Sequence, residues 1–198
     1  NADTCARTGE GVFEVRLADS AGLAPGGRYK VAMRVRGAAG TAPGGWEVRM
    51  PAWAMCTEQD ADTGELCALA PPADLRAYAW RHARPPPPPS LRIYELHVGI
   101  SLADEAVGTW DAAAASVLPR VAAAGYTAVL LLGVLEHGYY ASFGYLVTSY
   151  LAPSSRFGPP AALQRFIDTA HGLGLQVVLR TAPQPRPLAP HAARALSR

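Results

Sequence analysis

Residues 128–133 read Ala-Val-Leu-Leu-Leu-Gly, a continuous apolar run that a glycine closes. A strand with both faces covered, as in a parallel sheet, requires an unbroken run of this kind. Residues 93–98 and 175–179 are two further short apolar stretches, and longer amphipathic segments separate the three. This alternation of strand, helix, strand, helix and strand predicts a parallel sheet with right-handed crossovers. The predicted fold class is therefore α/β, either a doubly wound sheet or part of a barrel.

The two intervening segments carry start and stop signals typical of helices. Thr109 is a preferred N-cap residue, and Gly125 can close the helix that follows it. Pro119 lies inside this helix and predicts a kink or a local break, because proline lacks the backbone N–H. The proline pair at residues 159–160 begins the second helix, and Gly172 and Gly174 end it. The apolar residues at helical spacing are Trp110, Val117, Leu118 and Val121 in the first helix and Leu163, Phe166, Ile167 and Ala170 in the second.

The first fifty residues show a different periodicity. Apolar and polar residues alternate with a period of two, as in half-buried strands. Pro-Gly-Gly turns at residues 25–27 and 43–45 interrupt this alternation. The pattern predicts an antiparallel sheet from a β-sandwich, with one face of each strand turned inward. The alternating segments are residues 12–17, 29–36 and 46–50.

A run of prolines at residues 85–89 marks a domain boundary, because such a run favours an extended, semi-rigid spacer. A β-sandwich usually takes about 100 residues, so we expect part of the N-terminal module to be missing. The predicted organisation is a partial β-sandwich at residues 1–84, a proline linker at 85–90, an α/β region at 91–179 and an atypical tail rich in Pro, Ala and Arg at 180–198.

Composition restricts the classes of partner. The net charge is +2 and the Lys and Arg residues form no run, so nucleic acid is not a predicted partner. No stretch approaches the roughly 18 apolar residues of a transmembrane helix, so no membrane is predicted either. Cys5, Cys56 and Cys67 show no metal-ligand spacing and are expected to be reduced structural thiols.

Polar residues follow two of the predicted strands at their carboxyl ends, where parallel folds gather functional groups. Glu95 and His97 alternate onto one face of the first strand, and Glu136 and His137 come just after the second. The first pair could be a buried, hydrogen-bonded pair, and the second could pin the loop that follows it. All four together could bind a metal, as in a metal-dependent hydrolase, although no strict ligand spacing supports this.

The long connection at residues 134–158 is rich in aromatic side chains. Loops longer than about 12–15 residues inside a compact domain are usually functional. Aromatic rings at the mouth of a barrel suit a sugar ligand, because they stack on the apolar face of a pyranose, although each ring could instead serve packing. The aromatic residues of this loop are Tyr139, Tyr140, Phe143, Tyr145 and Tyr150.

Several stretches resemble glycogen and starch branching enzymes of the α-amylase superfamily, in the same order and spacing. The most specific is EHGYYASFGY at residues 136–145. PAWA at 51–54 and WRHARP at 80–85 are similar to the stretch that joins the family's starch-binding-type β-sandwich to its barrel. The resemblance covers roughly residues 11–179. The remaining matching stretches are LRIYELHVG at 91–99, VLPR at 117–120 and SSRFG at 154–158.

The resemblance implies part of a β-sandwich carbohydrate-binding module, followed by the first three β/α units of a TIM-type (β/α)8 barrel. It also implies cleavage of an α-1,4-glucan and transfer of the released chain to a 6-hydroxyl, with retention and without a cofactor. Tyr145 matches the family's tyrosine that stacks on the sugar next to the scissile bond. His137 in the same loop and Ser101 after the first strand are further candidate glucan contacts.

The tail departs from the family pattern. Residues 180–183 read Arg-Thr-Ala-Pro, where the family has a segment like Asp-Val-Val-His. The family's nucleophile and acid belong to later barrel strands, so the chain is expected to be an internal fragment without catalytic residues, and inactive alone. The alternative is a non-catalytic glucan-binding protein built from the same front half. The expected compartment is the plastid stroma in a starch-making organism and the cytoplasm otherwise.

Overall fold

The chain forms antiparallel sheets in its N-terminal region and a three-stranded parallel sheet further on, in the computed structural model. The structure describes residues 6–7, 13–14, 23–34, 45–60, 62–72, 75 and 77–180. Within these residues the helices are α1 (Trp110–Ser116), α2 (Leu118–Ala123) and α3 (Pro160–Gly172). The strands are β1 (Ala6–Arg7), β2 (Phe13–Glu14), β3 (Arg28–Tyr29), β4 (Val31–Arg34), β5 (Trp46–Arg49), β6 (Cys56–Gln59), β7 (Leu66–Leu69), β8 (Ile93–Leu96), β9 (Ala128–Leu131), β10 (Leu135–Glu136), β11 (Ser149–Pro153) and β12 (Gln176–Leu179).

The parallel sheet has the spatial order β12–β9–β8. Helices α1 and α2 connect β8 to β9, and α3 precedes β12, so the predicted alternation of strands and helices is confirmed. β8 ends at Leu96 and β9 at Leu131, two residues earlier than predicted. The carboxyl ends of the three strands lie at the same edge, and the loops that leave there are brought together.

Local signals fix the helix boundaries. The hydroxyl oxygen of Thr109 accepts a hydrogen bond from the Ala112 N–H at 3.2 Å, which confirms the predicted N-cap. The break predicted at Pro119 is also confirmed, because α1 and α2 are separate helices at this point. The proline stands at the start of α2, where a missing N–H removes no intrahelical bond. Gly125 follows α2 with a φ of +80°, a conformation that favours glycine.

The core lies between the helices and one face of the parallel sheet. Trp110 and Phe166 are fully buried, and their rings meet edge to face with centroids 5.7 Å apart. Phe157 also packs edge to face on Trp110, at 5.6 Å. The opposite face of the sheet is less covered, since Ile93 is 43% and Val178 is 42% exposed. The described residues therefore cover the sheet on one face and leave the outer strands exposed on the other.

The N-terminal region forms three small antiparallel sheets, β1–β2, β4–β5 and β3–β7–β6, in the part of the chain that is described. β2 lies in the first predicted segment, β3 and β4 at the second, and β5 in the third. Residues 12, 15–17 and 35–36 of these segments are outside the described part. The sequence did not predict β6 and β7. Trp46 is 71% and Met33 is 47% exposed, so the described residues do not cover these two apolar side chains of the alternating segments. A period of two defines the faces of a strand but not which face is covered. Assembly into a β-sandwich stays a prediction.

Asp168 of α3 anchors the segment that precedes the prolines. It is 3% exposed and accepts hydrogen bonds from the backbone N–H groups of Arg81, at 3.2 Å, and His82, at 2.9 Å. Burial alone would raise the pKa of Asp168, but these hydrogen bonds lower it below its ordinary value. Gln176 of β12 donates to the carbonyl oxygen of the first proline. The proline run therefore begins at a point that is fixed on α3 and β12.

Two further expectations concern partners and thiols. None of the helices in the described part of the chain is long and apolar enough to cross a membrane, and α3, with 13 residues, is the longest of the three. Cys56 and Cys67 are free thiols, while Cys5 lies outside the described residues. The predicted tail lies outside them as well, except for Arg180.

Candidate functional site

The aromatic connection after β9 is a hairpin. Strands β10 and β11 pair in antiparallel orientation and bring the two ends of residues 137–148 together. The sequence prediction treats this connection as irregular, because β10 has only two residues and Pro153 pairs in the register of β11. Proline is rare inside paired strands, so this hairpin leaves a weak signal in the sequence. The base of the aromatic loop is therefore more ordered than predicted.

The loop lies directly on the carboxyl end of β9. Gly133 and Gly144 have φ values of +64° and +83°, and a Cβ on Gly144 would stand only 2.3 Å from the Gly133 Cα. Two backbones can approach this closely only where both residues lack a side chain. Phe143, just before the contact, has a φ of +50°, which is uncommon for a bulky residue and costs conformational energy. The chain thus holds a strained turn at the edge of the sheet.

Tyr145 follows this contact and borders a cavity at the carboxyl ends of β9 and β12. Tyr145 is 60% exposed, so it lies outside the packed core. This cavity is shallow and open to solvent, and its volume of about 20 Å³ has room for about one water molecule, far below the roughly 300–1,000 Å³ of complete small-molecule pockets. Its lining can be one side of a larger binding site. The lining residues are Leu132, Gly133, Phe143, Gly144, Tyr145 and Arg180.

The other two predicted sugar contacts do not line this cavity. Ser101 is half-buried after β8, and its hydroxyl donates to the Val98 carbonyl oxygen at 2.9 Å. His137 is fully buried, and its ring stacks on Tyr140 with centroids 6.4 Å apart. The roles predicted for Tyr145, Ser101 and His137 stay predictions.

The expected buried pair of Glu95 and His97 is wrong. Glu95 is exposed on the uncovered face of the sheet. The ring nitrogens of His97 are buried and find no hydrogen-bond partner among the described residues. The ring instead lies edge to face against Phe143 and Phe157, with both centroids 5.6 Å away. Burial lowers the pKa of His97 below its ordinary value, and the nearby His137 acts in the same direction.

The four residues considered for a metal do not gather. Within the described ranges, no three His, Cys, Asp or Glu side chains come close enough to hold an ion. Glu136 is fully buried and both its carboxylate oxygens accept hydrogen bonds from the protein. This fits the alternative that Glu136 pins the loop. The metal-dependent hydrolase therefore has no support in the geometry.

Comparison with known proteins finds relatives of the part of the chain that forms this loop and sheet. No family model matches the chain. A 1,4-alpha-glucan-branching enzyme of Yarrowia lipolytica is 42% identical over 148 residues, which are 74% of this chain and 21% of that relative. The 1,4-alpha-glucan-branching enzyme 2-2, chloroplastic/amyloplastic, of Arabidopsis thaliana is 39% identical over 186 residues, 90% of this chain and 22% of that protein. The matched part of the chain is homologous to 1,4-alpha-glucan-branching enzymes. The resemblance found in the sequence is thereby confirmed.

The solved structures that resemble this chain have α-amylase-type folds. A Salmonella typhimurium protein assigned as an alpha amylase superposes with a TM-score of 0.68 at 26% identity, over 91% of this chain and 28% of that one. The catalytic module of a glycogen-degrading pneumococcal virulence factor gives a TM-score of 0.65 over 88% of this chain and 30% of that one. That second likeness, at 17% identity, concerns the fold alone. The chain spans about a fifth of the length of the curated relatives it matches.

Proposed function

We propose that this chain supplies part of the glucan-binding wall of a 1,4-α-glucan branching enzyme. The complete protein would cleave an α-1,4-glucan, as in amylose, amylopectin or glycogen, and transfer the released segment to a 6-hydroxyl. The observation that carries the proposal is the exposed ring of Tyr145 beside a cavity at the carboxyl edge of the parallel sheet. An exposed aromatic ring can stack on the apolar face of a glucose unit, and Arg180 in the same lining can donate hydrogen bonds to hydroxyl groups.

The same proposal gives the chain a position in a larger fold. Residues 91–179 would form the first three β/α units of a TIM-type barrel, and residues 1–84 would be part of a β-sandwich carbohydrate-binding module. The strand order β12–β9–β8 fits three consecutive barrel strands. The exposed Ile93 and Val178 fit a face that further strands would enclose.

The proposed chemistry needs two carboxyl groups, one as nucleophile and one as acid, on either side of the scissile bond. Glu136 is the buried acid of this region, but it cannot attack a sugar while both its oxygens are held by protein donors. We therefore place no catalytic residue in this chain. The compartment would follow the product, with the plastid stroma for starch and the cytoplasm for glycogen.

Binding of maltoheptaose to the chain, measured by isothermal titration calorimetry, tests the role of Tyr145. We expect Tyr145→Ala to weaken binding about two- to tenfold, the range given by roughly 0.5–1.5 kcal/mol for a stacked ring. Tyr145→Phe should keep most of the affinity. Tyr139→Ala is the matched control, because Tyr139 is 64% exposed in the same loop but does not line the cavity. Equal losses for the alanine variants of both tyrosines would contradict the proposal.

A second measurement addresses catalysis. The purified chain should not branch amylose, so the iodine stain should keep its absorbance maximum after long incubation. A shift of that maximum to shorter wavelength would show that the chain contains a catalytic pair, and would contradict the assignment of the carboxylates to other parts of the protein.

A further inference from the structure

Glu136 joins three segments that are far apart in the sequence. One carboxylate oxygen, Oε2, accepts hydrogen bonds from the Thr57 hydroxyl at 2.7 Å and the Ser155 N–H at 2.9 Å. The other, Oε1, accepts from the His137 N–H at 3.0 Å and the Ser154 hydroxyl at 3.4 Å. Four donors fill the lone-pair directions of a carboxylate. The residue is fully buried, so these bonds replace all of its contact with water.

Arg156 extends this network into the aromatic loop. One guanidinium nitrogen lies 3.8 Å from Glu136 Oε1 and donates to the His137 carbonyl oxygen, and the other donates to the Gly138 carbonyl oxygen at 3.0 Å. The guanidinium also stands over the ring of Tyr140, 5.6 Å from its centroid. The side chain of Arg156 is only 14% exposed. The hydrogen bonds from Arg156 therefore hold the first residues of the loop against the segment that closes it.

Thr57 brings the N-terminal region into the same network. It lies in β6, is 6% exposed, and is 79 residues away from Glu136 in the sequence. A second bridge runs from the Ser149 hydroxyl of β11 to the Ala54 carbonyl oxygen, at 3.2 Å, but it does not involve the carboxylate. The N-terminal region thus hydrogen-bonds to the base of the aromatic loop through Thr57 and Ala54, and of these two bonds only that of Thr57 contacts the carboxylate of Glu136.

We propose that Thr57 is a positioning residue for the sugar site: from the N-terminal sheet it holds the carboxylate of Glu136, and Glu136 with Arg156 holds the loop that presents Tyr145. Through Thr57 the N-terminal region would then tune glucan affinity at Tyr145 from outside the cavity. The effect on glucan affinity rests on the proposed function, whereas the effect of Thr57 on the order of the loop does not.

The test compares Thr57→Val, Thr57→Ser and Thr63→Val in the whole chain. The valine variant removes the hydroxyl and keeps the shape, and the serine variant keeps the hydroxyl. Thr63→Val is the matched control, because the Thr63 hydroxyl donates to Asp60 at 3.0 Å in an exposed turn between β6 and β7, away from the loop. The measurement is amide hydrogen exchange resolved by NMR, at the Phe143 and Tyr145 amides, which donate to loop carbonyls at 2.9 and 3.0 Å.

For Thr57→Val we expect these loop amides to exchange about tenfold faster, in line with the loss of a hydrogen bond to a charged group. The Leu132 amide, bonded to the Leu96 carbonyl oxygen in the parallel sheet, should change much less and serves as the measure of global unfolding. Thr57→Ser and Thr63→Val should both keep loop exchange within about twofold of the original chain. Acceleration of the Leu132 and loop amides by the same factor, or no rescue by serine, would overturn the proposal.

A further variant and a binding measurement complete the test. If Thr57→Val does not fold, Thr57→Ala removes the same donor without placing a methyl group against the carboxylate, and the same exchange pattern is required of it. Maltoheptaose affinity is then measured for each variant, and we expect Thr57→Val to weaken it while Thr63→Val does not. Faster loop exchange in a chain that does not bind maltoheptaose would support the positioning role and refute the glucan site; unchanged loop exchange in a chain that binds would refute the positioning role.

Discussion

Replacement of Asp168 by asparagine should destabilise the fold through one buried anchor. Asparagine has nearly the same shape, but it removes the negative charge and exchanges one acceptor oxygen for an NH2 group. In the native structure both carboxylate oxygens are used: the Tyr78 hydroxyl donates to Oδ2 at 3.2 Å, and the His82 N–H donates to Oδ1 at 2.9 Å. The Arg81 N–H is 3.2 Å from both oxygens. The anchor therefore fastens residues 78–82 to α3.

The size of the effect follows from these bonds. Hydrogen bonds to a charged group are worth roughly 1.5–3 kcal/mol, against about 0.5–1.5 kcal/mol for neutral pairs. Asparagine keeps the bond to His82 in weakened form and faces Arg81 with a second donor. We expect the free energy of unfolding at pH 7 to fall by about 2–3 kcal/mol, which for a chain of this size corresponds to ~4–12 °C in Tm.

The lowered pKa of Asp168 determines how its contribution to stability changes with pH. The hydrogen bonds lower the pKa of Asp168 in the folded chain below the ordinary value of 3.8, so the unfolded chain takes up the proton first as the pH falls. The stability that the carboxylate contributes is fully present above the unfolded pKa and is lost as the pH falls through the folded pKa. The difference between the original chain and Asp168→Asn should therefore shrink as the pH falls below about 4.

Urea titrations followed by circular dichroism, at intervals from pH 7 to pH 3, measure this difference. Asp111→Asn is the matched control. Its carboxylate also has a lowered pKa, caused first by the hydrogen bond from Arg165, but the side chain is 58% exposed. We expect the control to lose less than about 1 kcal/mol, as exposed ion pairs do. Equal losses for the two variants, or a loss for Asp168→Asn that does not shrink in acid, would refute this account of the anchor.

Two further substitutions test the core and the loop contact. Trp110→Ala should lower the free energy of unfolding by about 3–5 kcal/mol in a urea titration, because it opens a cavity between Phe157 and Phe166, and a loss below about 1 kcal/mol would contradict the edge-to-face core. Gly144→Ala should weaken maltoheptaose binding and lower Tm more than Gly174→Ala does. The two glycines have φ values of +83° and +75°, so both alanines are strained, but only the first Cβ would meet backbone within 4 Å. Equal effects of the two alanines would show that close approach of the loop to β9 is unimportant.

Much of the candidate site could be predicted from the sequence, and the misses share one cause. The aromatic loop, the edge where it lies and the family were predicted from residues 136–145 and the strand pattern before them. The hairpin of β10 and β11 was missed, and the pairing of Glu95 with His97 was wrong. Both depend on which distant segments cover a residue. The residues next to a short strand or a single acidic residue in the sequence do not indicate which segments those are.

The sequence by itself determined the alternation of strands and helices, the cap at Thr109, the break at Pro119 and the relation to branching enzymes, because each of these depends on residues within a few positions or on a contiguous motif. Only the tertiary structure decided that Glu136 is saturated by donors from three segments, that Thr57 reaches it across 79 residues, and that Trp46 is exposed. The physical reason is that burial and the partners of a buried charge are set by chain segments that are distant in the sequence, whereas backbone propensity is local.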